Sequence, residues 1–306
     1  MEIEEYLDEL SDGSKKLSVS GLQRLSKLDG EERKQFDMRW PGIDVRRRRR
    51  IVQELIDLAE DDVELDFDAA FIRGLDDDDA EVRLESVRGL WEHESPGLIG
   101  SLVELLEDDE DPAVRAEAAL ALGRFVLMYE LGRLREPHYA RAEAGLRNAI
   151  EKADESQEVR ARAIEAIGAR DEPWVRQAIR EAYESGTRRL KVSAVQAMGR
   201  SAENRWLPLI SRELASDEAE LRYEAATATG NIGDESIVPQ LLPLVMDEDT
   251  DVREAAIQSL GEIGGAEAKE ALKAMLDSES AAAREAAGAA LAVIEFEEDP
   301  LGFKLG

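Results

Sequence analysis

Cysteine is absent from the 306 residues, so disulfides, thiolate metal ligands and cysteine nucleophiles are excluded together, and the chain suits a reducing compartment. Histidine is scarce: His93 and His138 stand 45 residues apart, and nothing in their spacing assembles a metal site. Aromatics make up only 5% of the chain, which leaves Ala, Leu, Ile and Val to form a core. Nine prolines and no sustained alternation of apolar and polar residues argue against a sheet of any size. There is no run of about 18 apolar residues, so no membrane span is expected. The acidic start, MEIEEYLDELSDG, lacks the apolar stretch of a secretory signal. A cytoplasmic location is the expectation.

Positive charge is also in deficit. Lys and Arg number 39 against 69 Asp and Glu, a net charge of −30. Residues 1–60 hold 12 basic and 14 acidic groups, so nearly all the excess lies beyond them. A field of that sign repels phosphate backbones and anionic membranes, which argues against nucleic acid as a general partner. The acidity serves solubility in one explanation and forms a docking face in the other.

What the chain does have is a period. A basic residue recurs at Arg46, Arg83, Arg115, Arg160, Lys191, Arg222, Arg253 and Arg284, at intervals of 37, 32, 45, 31, 31, 31 and 31. Self-similarity at that period means a linear stack of units, each too small to bury a core alone. Residues 204–233 show one unit: Leu207, Leu209, Ile210 and Leu214 at helical spacing, a break at Ser216-Asp217, then Leu221, Ala225, Ala226 and Thr229. Six residues before the basic position stands Asp or Ser (Asp77, Asp109, Asp154, Ser185, Ser216, Asp247, Ser278), able to accept hydrogen bonds from free amides between two helices. Eight residues after it comes Gly123, Gly168, Gly199, Gly230 or Gly261, where the second helix must end or pack closely. In the second unit Trp91 replaces that glycine, and in the last Ala292 does.

The turn acid, the Val-Arg pairs at 82–83, 114–115, 159–160 and 252–253, the small residues after them, and Pro208 and Pro239 resemble the HEAT-repeat family, including the HEAT-like repeats of phycobilisome lyases. The resemblance covers residues 66–295 well and 14–65 loosely. It implies an all-α, right-handed α-solenoid of about eight helix pairs, running as a single domain over residues 1–295, with a tail at 296–306. It further implies a ladder in which Asp109, Asp154 and Asp247 pair with register arginines such as Arg115, Arg160 and Arg253 of neighbouring units.

Most catalytic chemistry finds no support. Only His93-Glu94 matches the His-Glu dipeptides of deoxyhypusine hydroxylases, a HEAT-repeat enzyme family that binds iron, and a surface loop histidine is expected there instead. The acidic runs at 76–79 and 108–111 lack the spacing, central glycine and terminal Glu of a calcium loop, and fit inter-helix turns better. Abundant carboxylates cannot by themselves nominate an acid and a base. No phosphate-binding glycine loop occurs, and the basic groove of HEAT-like DNA glycosylases is not evident. No catalytic residue, cofactor or metal is expected.

Departures from the period point to function more than its regularity does. The interval from Arg115 to Arg160 carries 14 extra residues, an insertion near 125–141 in which Val126, Leu127, Leu131 and Leu134 prolong a helix before Pro137. Its Tyr129, Arg133, Arg135 and Tyr139 are candidates for a partner surface, since Arg and Tyr are favoured at interfaces. The run Arg46, Arg47, Arg48, Arg49 and Arg50 opens an unusually long helix near 44–61. Either it pairs with acidic turns such as 76–79, or it docks an acidic segment. Trp91 is a third candidate. The expected function is a non-enzymatic scaffold or adaptor for a protein or peptide partner; the alternative is a lyase-like enzyme or accessory subunit of the chromophore-attachment type, and nucleic-acid binding through the arginine run ranks last.

Overall fold

The computed structural model describes residues 3–278 and 280–298; among them all regular structure is helical, with no strand. The chain divides into two compact units, Met1–Ala166 and Ile167–Gly306. The first contains α1 (Ile3–Ser11), α2 (Val19–Leu22), α3 (Gly30–Arg39), α4 (Val45–Asp61), α5 (Asp68–Gly74), α6 (Ala80–Gly89), α7 (Leu98–Asp108), α8 (Pro112–Glu130), α9 (Glu136–Glu151) and most of α10 (Gln157–Ile167). In the second lie α11 (Pro173–Glu184), α12 (Arg188–Arg200), α13 (Leu207–Glu213), α14 (Ala219–Ile232), α15 (Val238–Leu241), α16 (Thr250–Ile263), α17 (Gly265–Met275) and α18 (Ala281–Glu298). No described helix is long and apolar enough to cross a membrane. Because α18 runs to Glu298, the first residues of the tail set at 296–306 continue this helix; residues 299–306 lie outside those described.

Each helix exists because one stripe of it is apolar. In α7 the buried residues are Leu98, Ile99, Leu102, Val103 and Leu106, at the spacing of a single helical face. The second helices of successive pairs then stack: α12 on α14, α14 on α16 and α16 on α18 make the most extensive contacts of the second unit.

The recurrent glycines explain how closely they stack. The sequence left two expectations, a helix end or a close contact: Gly168 directly follows the last residue of α10, whereas Gly123, Gly199, Gly230 and Gly261 sit inside their helices. A Cβ on Gly123 would lie 3.0 Å from Ala166 Cα, one on Gly168 2.8 Å from Ala197 Cα, one on Gly199 2.7 Å from Ala228 Cα, and one on Gly261 3.0 Å from Ala290 Cα. Those neighbours are main chain and cannot swing away. In α14 the terminator is instead Gly233, left-handed at φ 72°.

The turns divide their work between two residues. The acid four places before the register arginine caps the second helix: Asp79 accepts from the Val82 amide, Asp111 from Ala113, and Asp249 from Asp251 and Val252. The acid six places before closes the turn and receives the arginine of the preceding unit. Asp109 accepts from the Asp111 amide at 2.9 Å and from Arg83 at 2.6 and 2.9 Å; Asp247 accepts from the Asp249 amide at 2.9 Å and from Arg222 at 2.7 and 2.8 Å. The same guanidiniums donate backwards to their own turns, Arg83 to the Asp77 carbonyl at 2.8 Å and Arg222 to the Ser216 carbonyl at 2.9 Å. One side chain thus spans two turns.

Three ladder positions differ from the implied set. Arg115 meets Glu155 at 2.8 Å and not its neighbour Asp154, which is exposed. Burial alone would raise the Glu155 carboxyl, and bonds from Arg115, the Ser156 amide and Lys152 hold it below its ordinary value. Arg160 and Arg253 have serines, Ser185 and Ser278, at the next turn, so no carboxylate is there to receive them. Arg160 Nε is buried without an acceptor, and Arg253 donates to the Asp247 carbonyl and Thr250. The first unit's register residue is Arg48 and not Arg46, because it is Arg48 that reaches the next turn at Asp77.

Two predictions follow from this packing. Helix propensity alone favours Ala over Gly by about 1 kcal/mol, so Gly199→Ala should instead lower stability, by about 1–3 kcal/mol of overpacking strain. Gly30→Ala, whose Cβ would meet nothing within 4 Å, should be neutral or stabilising. Urea denaturation followed by circular dichroism compares the two. The second concerns pH. The hydrogen bonds from Arg222 hold the Asp247 carboxyl below its usual range. Its unfolded pKa is near about 3.9, so its contribution is complete above that pH and is lost as pH falls through the lower folded value. The stability gap between the parent chain and Asp247→Asn should therefore be wide at neutral pH and close on acidification below pH ~4.

Candidate functional site

The arginine run is largely paired within the chain, though only Arg48 is buried. Asp44 caps α4 by accepting from the Arg46 amide at 3.0 Å, which places a carboxylate against a helix end otherwise crowded with cations. Arg48 is 6% exposed and donates to the Ile43 carbonyl at 2.8 Å, to Asp77 at 3.0 Å and to Asp78. Asp77 also accepts from Trp40 Nε1 at 2.6 Å, so this carboxylate joins the first long helix to the α5–α6 turn. Arg49 pairs with Asp79 and Glu81, and its bonds pull the Asp79 carboxyl below its ordinary value. Arg50 pairs with Glu54 one turn on. Arg47 donates to the Lys15 carbonyl at 2.7 Å. Arg46 is exposed and has no side-chain partner among the described residues.

The insertion is built as two antiparallel helices. α8 runs on to Glu130, and α9 restarts with Pro137 in its first turn, where its missing amide costs nothing. Tyr139 is 2% exposed and stacks on Tyr129, ring centroids 4.0 Å apart and planes 8° from parallel, while the Tyr129 hydroxyl bonds Glu136. Tyr139 therefore serves the helix–helix packing and is not presented at the surface. Arg133 and Arg135 are exposed; Arg133 pairs with Glu94.

That pair brings two irregularities together. The α6–α7 loop contains Trp91, and the α8–α9 loop contains Arg133. Arg124 of α8 donates to the Trp91 carbonyl at 2.6 Å, so the α6–α7 loop is tied to α8 at Trp91 and to the α8–α9 loop at Glu94. Arg124 Nε and Nη2 are buried without acceptors, and burial pulls this guanidinium down to about 10. His93 bonds Asp68 and is not the open loop histidine expected. Among the described residues no group of three or more His, Cys, Asp or Glu side chains is gathered as a metal site. His138 is exposed in α9.

Trp91 is 64% exposed. Leu127 of α8 and Leu131 just after its end follow Arg124 by three and seven positions and are 43% and 61% exposed. The two tied segments thus expose a tryptophan and two leucines, and the α8–α9 loop adds the exposed Arg133 and Arg135. The leucines were read in the sequence only as prolonging a helix. The signal was there: Phe125, Val126 and Met128 already fill the buried side of α8, so leucines at 127 and 131 make a second apolar stripe.

Several solved structures are similar. The CpcE–CpcF complex of phycocyanin lyase from Nostoc sp. PCC7120 matches 74% of this chain and 94% of its own at 18% identity, with a TM-score of 0.49. Human deoxyhypusine hydroxylase in complex with glycerol matches 96% and 97% at 21% identity and 0.38. The Kap95p chain of a complex with RanGDP matches 95% of this chain and 40% of its own, at 14% identity and 0.45. No curated protein matches the sequence. The family of HEAT repeats matches residues 69–137 and 207–292, together just over half of the chain. With that match, the 31-residue period, the paired helices and the shared arginine–aspartate turns, the chain belongs to the HEAT-repeat family and is an all-α solenoid.

Proposed function

We propose that this protein is a non-enzymatic scaffold that binds a protein segment at the corner formed by the α6–α7 loop and the end of α8. The observation that carries this is the exposed group of Trp91, Leu127 and Leu131 where the repeat is broken twice. Large apolar side chains scattered singly on a surface need no explanation, but an exposed tryptophan and two exposed leucines in two irregular segments tied to each other are what an interface anchor looks like. The regular repeats bury the equivalent position: where other units place a glycine under the next helix, this one holds an indole out to solvent. The fitting partner is an amphipathic helix with apolar anchors at helical spacing and carboxylates at its edge for Arg133 and Arg135. The lyase-like alternative would use the same fold to present a protein substrate for chromophore attachment, and predicts a bound pigment.

Photo-crosslinkers placed separately at 91, at 131 and at 223 in the second unit test the proposal in cells. One polypeptide should be captured from 91 and 131 but not from 223, and Trp91→Ala or Leu131→Ser should reduce its affinity about tenfold or more, the loss typical of a buried anchor. Their thermal midpoints should stay close to the parent's, because both side chains are already exposed. Equal capture from 223, or affinity unchanged by both substitutions, moves the docking face to the regular repeats.

A further inference from the structure

A second site lies outside the repeats. α1, the loop after it, α2 with the turn that follows, and the start of α4 line a pocket of about 240 Å³ that is open to solvent on one side. Its wall carries Lys16, Arg24 and Arg47 against one carboxylate, Glu9, with the hydroxyls of Tyr6, Ser18 and Ser20 between them. That local balance of +2 stands in a chain of −30.

Two buried donors here lack acceptors. Tyr6 is 5% exposed and its hydroxyl has no hydrogen-bond partner. Arg47 spends Nη1 on the Lys15 carbonyl, and its Nε is buried with no acceptor. Buried polar groups are almost always satisfied in folded proteins, so two orphan donors on one cavity wall point to an acceptor that arrives from outside. Burial pushes the Tyr6 phenol up to about 12, so at neutral pH it keeps its proton and donates. Gly21 leaves it room: a Cβ there would lie 2.9 Å from Tyr6 Cε2 and 3.1 Å from its oxygen. The Arg24 guanidinium lies over the Tyr6 ring, 5.6 Å from its centroid.

We propose that this cavity binds a phosphomonoester dianion, with Lys16, Arg24 and Arg47 supplying the charge and the hydroxyls of Tyr6 and Ser20 donating to its oxygens. A dianion matches the net charge of the wall, and three terminal oxygens can use more donors than a carboxylate offers. The volume is below the roughly 300–1,000 Å³ of ordinary small-molecule pockets, so the site suits the phosphorylated end of a ligand and not a dinucleotide. It is independent of the corner at Trp91.

Isothermal titration of the full chain at fixed ionic strength tests this with inorganic phosphate, glycerol phosphate, succinate and chloride. Phosphate and glycerol phosphate should bind saturably, and succinate and chloride at least tenfold more weakly. Tyr6→Phe removes only the orphan oxygen; it should weaken phosphate binding severalfold while leaving the ligand-free thermal midpoint unchanged or higher. Arg47→Gln should weaken binding further, and Ser20→Ala gives a second reading should that variant be unstable. Succinate binding as tightly as phosphate would make this a carboxylate site, and phosphate affinity indifferent to Tyr6→Phe and Ser20→Ala would remove the cavity as the site; either result overturns the proposal.

Discussion

A guanidinium that reaches two turns at once sets the register of the stack. Arg83 and Arg222 each donate to the carbonyl six residues back and, in bidentate fashion, to the carboxylate of the next turn. A planar group with five fixed donors suits both tasks; at the equivalent position Lys191, whose next turn has Ser216 and no carboxylate, pairs with Glu213. Desolvation of such half-buried pairs consumes much of their Coulombic attraction, so their net effect on stability is small beside their geometric one. They admit one rotation of each helix pair against the next.

That rotation permits the close approach of the second helices. The glycine eight residues beyond the clamp meets the residue six beyond the next clamp, Ala166, Ala197, Ala228 or Ala290 in the regular cases. A slip of one residue would set larger side chains against that backbone. Clamp and glycine act on the same stacking, but it is the close-packed glycine that runs through every interval of 31, whereas the clamp onto a carboxylate operates in one of them, from Arg222 to Asp247. Where the glycine is absent, at Trp91, the chain turns out of the stack after Gly89, and the next interval carries the insertion.

The period was legible because it is written in residue types with few substitutes: a bidentate cation, a short acid, a residue with no Cβ. Individual roles were less so. Five consecutive arginines offer every register, and only burial selects Arg48; Asp154 and Glu155 are adjacent acids, and the longer reach of Glu155 decides. Glycine signals both a helix end and a close contact, and the sequence does not say which applies until the neighbouring helix is in place. Tyr139 looked like an interface residue because it is aromatic and lies in an insertion, yet the insertion has its own interior to fill. The N-terminal cavity was invisible, since Tyr6, Ser20 and Arg47 share no motif and meet only through the fold.

The use of cations inside the stack also determines where an anion can bind. The clamp arginines and most of the Arg46–Arg50 run are neutralised by carboxylates of the same chain, so the body presents its excess acid to solvent. At physiological salt that field decays over about 8 Å. A dianion approaching the surface is repelled weakly and over a short range, whereas inside a cavity it would meet donors at hydrogen-bonding distance in a partly desolvated wall, where charge interactions are several times stronger than in water. A strongly acidic protein can thus hold a phosphate group, provided it meets donors that the ladder does not use. The buried Tyr6 hydroxyl and Arg47 Nε are two such donors.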